Sequence, residues 1–353
     1  MYNNNKLSFR DQAIFLGLDV HQKNWTVTLR LNRLELKTFS MNPNPDELCR
    51  YMTKNYPDGN YLSVYEAGFC GYWIHRKLSQ RGFTNIIVNP ADVPTTHKEK
   101  DQKRDPVDSR KLARELENGS LKGIYIPTEQ QQAARSLSRL YFKAVKERTR
   151  IKNAIKSFLQ FQGVEIPRVD QVSHWSGRFI HWLKGISFVE KENHYYLNSL
   201  LDNLQDKRKE TLNILRFMRT TSKNNRIIAY LKSISGIGFL TAYSLHSELI
   251  DIRRFKNLDH LASFIGLIPS ISSSDDKEKQ KGLTGRHHKH LRSQLIESAW
   301  VAVRHDPALT QSYNQYIQRM PKQKAIVRIA KKLLNRARYV WLNEKEYVTG
   351  VVG

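Results

Sequence analysis

Between Thr128 and Phe161 the chain runs without a single proline or glycine, and no other feature constrains its fold as tightly. Proline and glycine are the residues that most readily end a helix. An uninterrupted stretch of this length therefore predicts one helix far longer than the globular mean of about 11–12 residues. A second helical stretch, from about Phe188 to Thr221, is also too long for an average globular helix. Together they predict an antiparallel helical hairpin, or coiled coil, over residues 128–224. The 353-residue chain then divides into three parts: 1–127, 128–224 and 225–353.

The first long stretch carries Arg139, Lys143, Lys146, Arg148, Arg150, Lys152 and Lys156, with few acids after Leu137. The whole chain has 58 Lys and Arg against 33 Asp and Glu, a formal charge of +25. So large an excess attracts polyanions, of which nucleic acid is the commonest in a cell. Arg139, Lys143, Lys146 and Arg150 are accordingly expected to bind nucleic acid, as are Lys331 and Lys332 in the basic, acid-free stretch Lys322–Arg338. No apolar run approaches the length of a membrane span, and residues 1–5 lack a signal-peptide pattern. Only Cys49 and Cys70 are present, which offers no disulfide framework and suggests core thiols. The expectation is a cytoplasmic, nucleoid-associated protein of prokaryotic type with no membrane partner.

The front of the chain reads as an α/β unit. Ile14–Val20 is a short apolar run and Trp25–Arg30 alternates with strand period, followed by a third candidate strand at Leu34–Phe39. A helix should start near Pro45, where a proline and two acids suit a first turn. Tyr61–Tyr65 and Ile86–Val88 read as further strands with a helix around Tyr72–Gln80 between them. Three strands in meander followed by alternating helices and strands predict a mixed sheet.

Four acids stand out by position. Asp19 follows an apolar strand, Glu66 ends another, and Asp105 and Asp108 lie in Asp105-Pro106-Val107-Asp108. Pro106 suits a first helical position, which makes Asp105 a candidate N-cap and sets Asp108 on the same side. A buried strand-end acid is costly unless compensated, and a divalent ion compensates it well. Magnesium takes oxygen ligands and keeps several waters, so a few carboxylates plus a substrate phosphate complete its shell. The bland alternatives are a capping role for Asp105, pairing of Asp108 with Arg104 or Lys111, and backbone bonds to Glu66. Strand-Asp, strand-Glu and a helix-borne acid pair is nevertheless the order of a ribonuclease-H-like nuclease. Asp101 is the nearest rival ligand.

Past Asn225, Ile234-Ser235-Gly236-Ile237-Gly238 has the Gly-x-Gly turn of a helix-hairpin-helix, where Gly236 and Gly238 would let backbone N–H groups approach a phosphate. A polar loop is expected from Ser272 to Gly285, then helices ending at Trp341. His287, His288 and His290, beside Arg286, Lys289 and Arg292, read as surface residues that meet phosphates rather than as metal ligands.

At these residues the chain resembles a known family, the bridge-RNA-guided insertion-sequence transposases with an Asp-Glu-Asp-Asp site, related to Piv-type DNA invertases. Gly17-Leu18-Asp19-Val20-His21, Tyr65-Glu66-Ala67-Gly68 and Asp105-Pro106-Val107-Asp108-Ser109 look like the family's three acidic motifs, with Ser109 where the family often has Ala. Ile234–Gly238, Phe255–Leu267, Gly266–Pro269, the serine run and Lys281–Thr284 through Leu291-Arg292 resemble its C-terminal domain. The resemblance implies a ribonuclease-H-like domain of junction-resolvase type, a helical hairpin and a mainly α transposase domain. It also implies Mg2+ held by Asp19, Glu66, Asp105 and Asp108, donor and target double-stranded DNA, a guide RNA, and a homo-oligomer, dimer or tetramer. A family serine that attacks DNA matches Ser274, with Ser273 as the neighbouring alternative. Asp275-Asp276 stands where the family usually has glycine. Two rival functions remain open: a junction nuclease that uses water, and a nucleic-acid-binding protein without catalysis.

Overall fold

The computed structural model describes residues 8–94, 105–169, 172–274, 277–285 and 287–349. Two compact units divide the chain, residues 1–126 and 127–353.

In the first unit, strands β1 (Ala13–Val20), β2 (Trp25–Leu31), β3 (Leu34–Met41), β4 (Asn60–Glu66) and β5 (Thr84–Val88) form one sheet in the order β3-β2-β1-β4-β5. The β1–β2 and β2–β3 pairs are antiparallel, whereas β4 and β5 run parallel to β1 and to each other. Asn32 and Arg33 both take positive φ, as a two-residue turn between right-twisted strands requires. Ile14, Leu16 and Leu18 are fully buried and pack with residues of helices α1 (Pro45–Asn55) and α2 (Trp73–Gln80). Cys49 and Cys70 are buried free thiols, as expected.

Side chains alternate across a strand, so Phe15, Gly17 and Asp19 belong to the opposite face. There helix α3 (Asp105–Glu117) packs against β1, β2 and β4. A Cβ on Gly17 would sit 2.1 Å from the Ser109 carbonyl oxygen and 2.4 Å from the Ala113 nitrogen, so glycine alone permits this approach. Three polar ties hold α3 in place: the Ser109 and Thr28 hydroxyls at 2.8 Å, Arg110 to Glu35 at 3.0 Å, and Arg30 to Glu117 at 2.7 Å. The buried Ser109 hydroxyl is thus satisfied by Thr28, which also meets Thr38 at 2.9 Å.

The described residues of the second unit form helices and one antiparallel strand pair. Helix α4 (Glu129–Phe161) starts from a capping box between Thr128 and Gln131 and packs against α6 (Lys191–Thr221). A short helix that sequence reading missed, α5 (Gly177–Lys184), buries Phe179 and Leu183 in a small core with Ile155, Leu159 and Leu197. Then follow α7 (Arg226–Lys232), α8 (Phe239–Leu249), α9 (Leu258–Ile265), α10 (Lys289–His305), α11 (Pro307–Ile317) and α12 (Lys322–Asn343). Helix α12 buries Ile326, Ile329, Leu333, Leu334 and Trp341 at helical spacing, so this basic segment is a core helix with a cationic outer side.

One expectation is corrected here. Most of the segment expected as a polar loop is paired: β6 (Pro269–Ser274) and β7 (Lys277–Leu283) run antiparallel. Serine, lysine and glutamine give no apolar alternation to betray a strand, yet backbone pairing needs none. Among the described residues no helix is long and apolar enough to cross a membrane.

Candidate active site

Asp19 and Glu66 emerge side by side at the ends of the two central parallel strands. Leu18 pairs with Tyr65 in the β1–β4 register, so the next residue of each strand is an acid. Glu66 shares its face with Val64, which packs against Leu112 of α3. Both acids therefore belong to the α3 face. Asp108 reaches the same place from the first turns of α3, which begins at Asp105 itself rather than after it. The side chain of Asp105 and the whole of Asp101 lie outside the described residues.

A cation already joins two of these acids. Lys111, one turn beyond Asp108, has a side chain only 8% exposed. Its Nζ lies 3.0 Å from Asp108 Oδ1 and 3.9 Å from Glu66 Oε1. Asp19 Oδ2 lies 3.3 Å from His21 Nε2. Among the described residues no three His, Cys, Asp or Glu side chains close into a coordination shell. The donor chemistry nevertheless fits a hard divalent ion, since carboxylates of β1, β4 and α3 share one face of the sheet.

A second polar cluster, which sequence reading missed, lies in the helical unit. Glu248 on α8 is 4% exposed. Arg139 of α4 donates to its two oxygens at 2.8 and 3.0 Å, Arg135 of α4 approaches at 3.2 Å, and His288 Nε2 lies 3.2 Å away. His288 Nδ1 accepts the Leu291 N–H at the start of α10, which leaves Nε2 as the donor to Glu248. Burial alone would raise the Glu248 carboxyl, but the bonds from His288 and Arg139 outweigh it and hold it at about 2. His288 is therefore an internal tie and not a surface phosphate contact, which corrects the sequence expectation. His290 stacks on Phe142 at 5.0 Å. The only signal for Glu248 was a lone acid in the otherwise uncharged run Thr241–Leu249 apart from His246.

The remaining candidates fall into two groups. Arg139, Lys143, Lys146 and Arg150 are all exposed and recur every three or four residues, which makes one stripe along α4, although Arg139 at its start is held by Glu248. Others are turned to internal partners. Arg292 donates to the Gly266 and Thr284 carbonyls, Lys331 pairs with Asp259 at 2.7 Å, and Lys332 meets Ser312 at 3.0 Å. Gly236 has φ +89°, and a Cβ there would lie 2.4 Å from the Ser298 carbonyl oxygen, so packing on α10 explains it. Gly238, at the start of α8, has open space where a Cβ would stand. Arg286 lies outside the described residues, as do Asp275, Asp276 and the side chains of Ser273 and Ser274.

A mixed sheet with strand-end carboxylates beside an acid-bearing helix is consistent with the ribonuclease-H-like enzymes of phosphoryl transfer. Comparison with known proteins narrows this class. Residues 16–162 match a transposase family model of the DEDD_Tnp_IS110 type, and residues 228–314 match the model described as "Transposase IS116/IS110/IS902 family". The chain belongs to this IS110-type transposase family, and it is an enzyme of DNA strand cleavage and transfer. It is similar to the putative transposase y4rJ of Sinorhizobium fredii, at 29% identity over 82% of this chain and 79% of the relative. The transposase for insertion sequence element IS1111A of Coxiella burnetii is 26% identical over 79% of this chain and 76% of its own length. That of IS1533 from Leptospira borgpetersenii is 25% identical over 82% and 85%. The acidic transposase domain implies dependence on a divalent metal.

Proposed function

We propose that this transposase exchanges DNA strands in a Mg2+-dependent reaction through a phosphoserine–DNA intermediate, with Ser274 as nucleophile and a structured RNA choosing the sites. The observation that carries the reading is the convergence of Asp19, Glu66 and Asp108 on the α3 face of the sheet. The strand pair supports the serine assignment: Ser274 ends β6 and is opposite Lys277 in register. Ser273 is the alternative nucleophile.

In the attack, the serine Oγ gives up its proton and forms a bond to phosphorus, one phosphorus–deoxyribose oxygen bond breaks, and the leaving oxygen takes up a proton in exchange. One phosphodiester replaces another, so the exchange needs no nucleotide triphosphate. Asp19, Glu66, Asp105 and Asp108 would hold the ion, which when bound offsets charge on the phosphate and the oxygens around it. Serine needs such activation, being a weak nucleophile at its free pKa. The reading includes an oligomer in which the serine of one copy meets the acids of another. Residues 128–224 would grip nucleic acid, with 225–353 as the serine-bearing part.

Covalent trapping tests it. Protein, Mg2+, donor and target DNA and RNA transcribed from the flanking sequence are incubated, denatured and resolved on a gel. An adduct lost in Ser274→Ala and Asp19→Ala but kept in Ser273→Ala is the expected result. Cleavage without an adduct would replace this reading with a water-using nuclease.

The α4 stripe makes a separate prediction. Each DNA phosphate that the protein no longer neutralises should reduce the log–log salt slope of binding by about 0.9 on duplex DNA. Changing Lys143, Lys146 and Arg150 together to Glu is therefore expected to lower that slope by about 2 to 3, as fluorescence anisotropy across a salt series would measure. An unchanged slope would remove the stripe from the interface.

A further inference from the structure

Lysine rarely leaves water, yet Lys111 buries its side chain between two of the candidate ligands. Two carboxylates on one face repel each other, so the metal-free site is favoured by a counter-charge. The ammonium supplies it, at 3.0 Å from Asp108 and 3.9 Å from Glu66. A divalent ion held by the same oxygens would bring a second positive centre into the same small space. Ammonium and ion cannot both remain there, and the four-carbon stem of lysine lets the charged group swing away without moving α3.

We propose that Lys111 is the resident counter-cation of the acidic site, occupying the cation position between Glu66 and Asp108 until a divalent ion displaces it. Resting on the reading that these acids hold the ion, this makes metal binding an exchange and Lys111 a positioning residue. Its ammonium keeps the carboxylates assembled before the ion and DNA arrive. It also lowers apparent metal affinity, because each binding event must first expel it.

The test is calorimetric titration of Mn2+ into the full-length protein, with thermal melts in the presence and absence of the ion. Lys111→Met keeps the apolar stem and removes the charge. The coupling between two competing cations should raise its Mn2+ affinity by about tenfold, within the usual range of site–site coupling. Its metal-free Tm should fall below wild type, and its Mn2+-induced gain in Tm should exceed that of wild type. Lys111→Gln carries the same prediction should the methionine variant misfold. Affinity equal to or weaker than wild type in both variants would overturn the exchange while leaving the metal site intact. Absence of Mn2+ binding in wild type and variants alike would overturn the metal reading itself, and the exchange with it.

Discussion

Gly17→Ala is expected to dismantle the acidic site while changing none of its acids. The added Cβ would meet the Ser109 carbonyl oxygen at 2.1 Å and the Ala113 nitrogen at 2.4 Å, both backbone atoms of α3. No rotamer change can relieve a clash with backbone, so helix or strand must shift. Overpacking of this kind costs about 1–3 kcal/mol. The catalytic loss should be larger. Helix α3 carries Asp105, Asp108 and Lys111, and a displacement of about 1 Å at a reacting centre can lower rate about 100-fold. Thermal melts and strand-exchange assays on the same preparation would measure both effects. An alanine variant with wild-type Tm and wild-type exchange would show that α3 does not depend on this approach.

Glu248→Ala should have the largest effect on stability. Its carboxylate is the shared partner of Arg135, Arg139 and His288, and it ties α4, α8 and the start of α10. Removing one member of a buried ion pair costs about 3–5 kcal/mol, because the remaining charge stays desolvated. Arg135, 14% exposed, would bear most of that cost, whereas Arg139, 59% exposed, can turn to water. The sign of the pH dependence follows from a carboxyl held at about 2 in the folded protein, below the ordinary carboxylate range. Stability from this group is complete above its unfolded pKa of roughly 4.3 and is lost as pH falls through the folded value. Urea midpoints recorded from pH 5 to pH 2 should therefore fall more steeply in wild type than in Glu248→Ala. Parallel curves would mean that Glu248 does not govern acid sensitivity.

Much of this protein was legible in the sequence because its signals are local. The absence of proline and glycine from 128 to 161 implies α4 by itself, since helix formation depends on the residues of its own turns. Strand alternation outlined the front sheet, and Asp19, Glu66, Asp105 and Asp108 stood out by their places at strand ends and a helix start. The matching family model covers these same residues. Where local pattern was silent, the reading failed: Pro269–Leu283 has no apolar alternation, and its hairpin rests on cross-strand backbone bonds.

What only the tertiary structure decided is which residues share a place. The amino-acid sequence determined the two long helices, the strands of the front sheet and the order of the acids. It did not reveal that Gly17 is glycine because a helix from residue 105 onward crosses it, or that Ser109 answers Thr28 from 81 positions away. Nor did it reveal that Lys111 reaches Glu66 as well as Asp108, or that Arg139 and the buried Glu248, 109 residues apart, form one tie. The physical reason is the same each time. A charge or hydroxyl leaves water only when folding brings it a partner, and sequence distance carries no record of where that partner will be.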